Sequence, residues 1–209
     1  VKDLLIHFNS LQNKFTKTVP SSFTSFKIGC MSDTLYSLLP DVLYDLALYE
    51  PNIPPVLHTF FSSHLVKTME ENLADVVLGI ETLPKGSNIE YAEILKTPLV
   101  CVCDQTHPLS EYKNVTLEEL NDQPLIFLNY GLYDDLIALQ LKVGRGRNAD
   151  SIYLCDDLPA SITLVRSGFG VVLLPLIFIP EALDDIKPIP VSDCPDMSFG
   201  VYFKPNQNN

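Results

Sequence analysis

Three stretches hold residue types that could do chemistry, and each carries a plainer reading. Cys101, Cys103 and His107 could offer two thiolates and an imidazole to a metal ion. Residues two apart on a strand share one face without the convergent geometry of a chelate, and no fourth ligand is close in sequence. Core thiols followed by a His-Pro turn are therefore expected, and no metal. Gly144-Arg145-Gly146-Arg147-Asn148-Ala149 matches the G-x-G-x-x-A spacing that cradles a dinucleotide pyrophosphate. It follows a helical pattern rather than a strand and opens no helix, so a helix-terminating turn is expected. Ser110-x-x-Lys113 has the spacing of acyl-transfer serine enzymes but lies in a polar loop without the partner motifs. With no G-x-S-x-G, Walker, H-E-x-x-H or paired C-x-x-C motif, the chain is expected to be no enzyme and to need no cofactor.

The elements that must position any site follow from composition and pattern. A length of 209 residues suits one large domain or two small lobes. Fourteen Lys and Arg against 26 Asp and Glu leave a net charge of −12. That balance argues against direct nucleic-acid binding by this stretch and against anionic membrane surfaces. Apolar residues are 46% and charged residues 19%, enough for a sizeable core. The longest apolar run, Val171 to Ile179, is broken by Pro175 and is too short to span a bilayer. The opening VKDLLIHFNS does not read as a signal peptide, and without Met it is expected to belong to a fragment or processed form. Five cysteines, four of them beside apolar residues, read as buried thiols in a reducing cytoplasm.

Leu4, Phe8, Leu11 and Phe15 have heptad-like helical spacing, and residues 16–25, rich in Ser and Thr around Pro20, read as a linker. Strands and helices then alternate. Strands are expected at Phe26–Cys30, Val56–Phe61, Asp75–Ile80, Ile89–Ile94 and Leu99–Cys103. Helices are expected from Ser32-Asp33-Thr34 to residue 49, and from Ser62-Ser63 to about Asn72. In the second half, Thr116 and Glu119 form a capping box for a short helix. Strands follow at Leu125–Leu128, Ser151–Leu154, Val171–Leu174, Ile186–Pro190 and Phe199–Phe203. A helix covers 133–142, and another starts at Asp157 and Pro159 and is stopped by Gly168. This alternation predicts an α/β architecture of two Rossmann-like lobes with mainly parallel sheets. The expected division is 1–24 as the end of a linker helix plus linker, 25–97 with 188–209 as the first lobe, and 98–187 as the second.

Taken together, the segments resemble the effector-binding domain of LysR-type transcriptional regulators. The resemblance is carried by Phe26-Lys27-Ile28-Gly29 after the linker helix, Leu39-Pro40, and Leu73-Ala74-Asp75-Val76-Val77-Leu78-Gly79-Ile80. It continues through His107-Pro108-Leu109, Val115 to Leu120, Gln123-Pro124-Leu125-Ile126, and Leu164-Val165-x-x-Gly168-x-Gly170-Val171-x-Leu173-Leu174-Pro175. It implies a type II periplasmic-binding-protein-like fold with a small-molecule effector held between the lobes. It also implies a winged helix-turn-helix domain upstream that reads DNA, a cytoplasmic protein, and assembly of copies into a dimer or tetramer. Helices 34–49 and 133–142 are apolar enough to make a contact between copies. Members usually continue with a closing helix, whereas this chain stops at 209. Peroxide sensors of the family carry a thiol soon after the strand matching Leu125–Leu128; Asn129 to Tyr133 holds none, so peroxide sensing is not expected.

Ligands of open parallel sheets sit beyond the C-terminal strand ends, where helix N-termini present free N–H groups. Ser32, Thr34, Ser62 and Ser63 are thus candidate donors to a small organic anion. Asp33 competes with an anion there or favours an amine. Ile80, Glu81 and Thr82 line the hinge side. Asn129, Tyr130, Asp156 and Ser161 are the candidates of the second lobe. His64 and Arg166 read as surface groups, Arg166 in an ion pair. The rival reading is an exported solute-binding protein serving a transporter, which shares the fold but needs a signal peptide.

Overall fold

The computed structural model describes residues 25–30, 38–60, 64–82, 88–128, 134–180 and 183–205. The chain divides into two compact units, Val1–Lys96 with Ser198–Asn209, and Thr97–Met197. The heptad-spaced opening and the linker over 1–24 lie outside the described residues.

In the first unit, β1 (Phe26–Cys30), α1 (Leu39–Tyr49), β2 (Pro55–Thr59), α2 (Leu65–Glu70), β3 (Val76–Ile80) and β4 (Glu90–Thr97) are completed by β10 (Met197–Phe203). The sheet order is β2-β1-β3-β10-β4. β1 runs parallel to β2 and β3, and β10 runs antiparallel to β3. The continuous apolar run of β3 follows from this placement, since both faces of a central strand are covered. Val76 packs with Ile28, Cys30, Leu39 and Val201 on the α1 face. Its neighbour Val77 points the other way, to Leu65, Met69 and Tyr202 on the α2 face. Helix α1 buries Leu39, Val42 and Leu46, three and four residues apart, and starts with Pro40 in its first turn.

The second unit holds β5 (Leu99–Asp104), β6 (Leu125–Leu128), α3 (Asp134–Gly144), β7 (Ile152–Cys155), α4 (Leu158–Arg166), β8 (Val171–Pro175) and β9 (Ile186–Pro190). The order is β7-β6-β8-β5-β9. β6 is parallel to β7 and β8, whereas β5 is antiparallel to β8 and β9, so the sheet is mixed. Helix α4 begins and ends as its residues require. The Asp157 carboxylate accepts the Ala160 N–H at 2.8 Å, and Gly168 takes the left-handed turn at φ 75°.

Two expectations are corrected. The Thr116–Glu119 box does close: Thr116 N–H donates to Glu119 Oε2 at 2.7 Å and Glu119 N–H to Thr116 Oγ1 at 3.3 Å. Yet only turns follow it. Val115 is bridged to Val191 and Pro124 already leads into β6, so too few residues remain to propagate a helix. The second correction concerns the return to the first unit. Residues 188–190 belong to β9, whose register against β5 runs from Asp104↔Ile186 to Val100↔Pro190. The chain crosses back at Met197–Ser198, not near 188. A short strand pattern does not say which sheet edge it will join.

Candidate functional site

The near-miss motifs resolve into structure. Cys101 and Cys103 are buried in β5, and desolvation raises both thiols, Cys103 to about 11. His107 accepts the Leu109 N–H on Nδ1 at 3.2 Å and so caps a 3-10 turn. Among the described residues no three His, Cys, Asp or Glu side chains come together as metal ligands. Gly144 ends α3, and Arg147 holds backbone carbonyls.

Of the first-unit candidates, Ser32, Thr34, Ser62 and Ser63 lie outside the described residues. The elements that lead to them are described. β1 and β2 stay paired to their C-terminal ends, Cys30↔Thr59, and Phe60 N–H donates to Cys30 O at 3.1 Å. His64 is exposed at the start of α2. At the end of β3, Ile80 is a core residue with its side chain buried, and Thr82 is half-buried. Two tyrosines that sequence reasoning missed organise this end. The Tyr202 hydroxyl donates to Ile80 O and accepts the Thr82 N–H at 2.7 Å. Tyr91 Oη bonds Ser198 Oγ at 2.9 Å, and the two rings lie 4.8 Å apart. Burial pushes both phenols above their ordinary range. Their signal in the sequence is only an aromatic residue on each of two strands.

In the second unit Asn129 and Tyr130 lie outside the described residues but directly follow β6. Its last residue, Leu128, is held by a side-chain amide: Leu128 N–H donates to Gln140 Oε1 at 2.8 Å, and Gln140 Nε2 donates to Leu128 O at 3.5 Å. Gln140 stands between Leu136 and Val143 on the buried stripe of α3. A glutamine on an apolar helix stripe was the available clue. Asp156 is exposed in the turn after β7. Ser161 is placed otherwise than expected: it is fully buried on the core stripe of α4, and its hydroxyl donates to Leu158 O at 2.8 Å. That stripe, at Leu158, Ser161, Ile162 and Val165, turns the serine inward. Arg166 forms the expected surface ion pair, with Asp185. Replacing Gln140 by Leu keeps the volume but strands the Leu128 N–H and C=O. A loss of about 2 kcal/mol in urea unfolding is expected.

Both the sequence and the fold are similar to those of known proteins. The chain is similar to the Escherichia coli K12 protein YnfL, described as an uncharacterized HTH-type transcriptional regulator. Identity is 29% over 113 residues, covering 51% of this chain and 36% of that protein. The chain spans about half the length of the curated relatives it matches. The fold is similar to that of the BenM effector-binding domain with its effector benzoate, with TM-score 0.73, 17% identity, and 88% and 85% of the two chains covered. It is equally similar to the effector-binding domain of QuiR in complex with shikimate, with TM-score 0.73, 17% identity, and 90% of each chain covered. The family model of the LysR substrate binding domain matches residues 23–209. By that match, which takes in both units, the chain belongs to the LysR substrate binding domain family.

Proposed function

We propose that this chain is the ligand-sensing domain of a LysR-type DNA-binding transcriptional regulator, and not an enzyme. The observation that carries the reading is the family match across both units, 23–209. The strand ends are consistent with it: β1 and β2 stay paired to Cys30 and Thr59, and Ser32, Thr34, Ser62 and Ser63 follow them in the sequence. The effector is a small organic anion met by Ser32, Thr34, Ser62 and Ser63, with Thr82 after β3; Asn129, Tyr130 and Asp156 are the candidates of the second unit. Benzoate with BenM and shikimate with QuiR support that ligand class. Occupancy shifts the population among arrangements of the assembled dimer or tetramer, and DNA is engaged through a winged helix-turn-helix domain N-terminal to this chain. The setting is the cytoplasm, a reading that the five free cysteines support. The curated relatives are regulators, which disfavours the transporter reading.

A thermal-shift screen of organic acids that includes benzoate and shikimate tests the reading. A true effector at a hundred times its Kd stabilises by about 2.7 kcal/mol, and Ser62→Ala together with Ser63→Ala abolishes that gain. Stabilisation that survives the double variant would overturn the site.

Self-association is expected to use the outer faces of two helices. Tyr44, Leu48 and Tyr49 are exposed on α1, and Ile137 and Leu141 on α3. Leu48→Glu with Leu141→Glu is expected to weaken association by about a hundredfold, read as a shift toward monomer in sedimentation. Unchanged sedimentation would exclude these faces.

A further inference from the structure

We propose that Tyr202 is a positioning residue for the ligand-side end of β3: its phenol takes the Thr82 amide, so neither Glu81 nor Thr82 keeps a backbone donor for a ligand. The inference deepens the ligand-sensing reading and rests on it.

The N–H groups just past a strand's last pair are ordinarily free, and successive free amides suit an anion. Here both are taken. Glu81 N–H donates to Ser198 O at 3.0 Å, and Thr82 N–H donates to Tyr202 Oη at 2.7 Å. A phenol has a single proton to give. That proton goes to Ile80 O, so toward Thr82 the oxygen only accepts. What these two residues keep for a ligand is the exposed Glu81 carboxylate and the half-buried Thr82 hydroxyl. A carboxylate with no free backbone amide beside it suits a ligand hydroxyl or ammonium, and an effector carboxylate is left to the ends of β1 and β2.

The phenol is fixed by its surroundings. Tyr202 is fully buried among Leu65, Met69, Ala74, Val77 and Ile89. The Tyr91 ring packs 4.8 Å away and is itself tied to Ser198, one residue past the crossing from the second unit.

Amide hydrogen exchange, followed by NMR on the full chain, tests the assignment. In the unmodified chain the Glu81 and Thr82 amides are both expected to be protected, although Glu81 is exposed. Tyr202→Phe keeps the ring and is expected to speed exchange at Thr82 by about tenfold or more, the worth of one hydrogen bond, while Glu81 keeps its rate. Tyr91→Phe leaves Thr82 protected. A purely structural role for Tyr202 would loosen both amides together, and that result would overturn the proposal, as would an unprotected Thr82 amide in the unmodified chain. Should the Phe variant not fold, the unmodified chain still decides: a slowly exchanging Tyr202 hydroxyl proton with a nuclear Overhauser contact to the Thr82 amide is expected, and its absence counts against the assignment. The ligand-sensing reading fails separately, through the Ser62 and Ser63 variants above, without altering this exchange pattern.

Discussion

Arg147→Ala is expected to cost the second unit about 3 kcal/mol, among the largest losses available to a single residue outside the apolar core. The guanidinium is a three-way tie. Nε donates to Val143 O at 2.7 Å, Nη1 to Gln123 O at 2.6 Å, and Nη2 to Leu120 O. One side chain thus caps the end of α3 and closes the turn that leads into β6. Hydrogen bonds from a charged donor contribute about 1.5–3 kcal/mol each, and the half-buried setting lets water recover part of that sum. Lysine is no substitute, because a single ammonium on a flexible stem lacks the planar fork. Arg147→Lys is expected to recover less than half of the loss. The measurement is the urea midpoint of the second unit, followed through Tyr153 or backbone circular dichroism. A loss below about 1 kcal/mol would mean that water serves these carbonyls as well as the guanidinium does.

The larger effect is expected at Gly200. This residue pairs with Gly79 across the β10–β3 ladder and lies between β3 and β4. A Cβ built there would sit 2.2 Å from Ala92 O and 2.7 Å from the Tyr91 ring. The ring is a side chain and can shift, but the carbonyl belongs to the β4 backbone and cannot shift without breaking the ladder. Gly200→Ala is expected to destabilise the first unit by about 4 kcal/mol, and Gly200→Val to prevent it from folding. Because the units have separate cores, the second is expected to keep its own melting transition in the Val variant. A Gly200→Ala protein that melts like the unmodified chain would falsify the close packing of β10 on β4. The same strand carries Tyr202, so this packing and the state of the Thr82 amide are expected to fail together.

These expectations separate two kinds of information. Order, type and approximate extent of the elements were legible from local pattern. The apolar run at Val76–Ile80, the helical spacing of Leu39, Val42 and Leu46, and the Asp157, Pro159 and Gly168 signals act over a few residues each. The motif readings were legible on the same basis: Gly144 stops a helix because a helix precedes it, and His107-Pro108 makes a turn. Ser161 shows the limit of the same basis: its nearness to a helix start suggests a ligand contact, and its phase with Leu158, Ile162 and Val165 turns it to the core.

By itself, then, the sequence determined the α/β alternation, the two-unit plan, the buried thiols and the resemblance that named the family, all of them properties of short windows or of composition. Only the tertiary structure decided which sheet β9 joins, that the Thr116–Glu119 box caps a turn and no helix, and which side chains close the strand ends. Tyr202 reaches Thr82 across 120 positions, and Arg147 reaches Leu120 across 27. Contacts of that separation depend on where β10 and α3 are laid down, and a side chain's hydrogen-bonding partner is settled only once burial has removed water as the alternative.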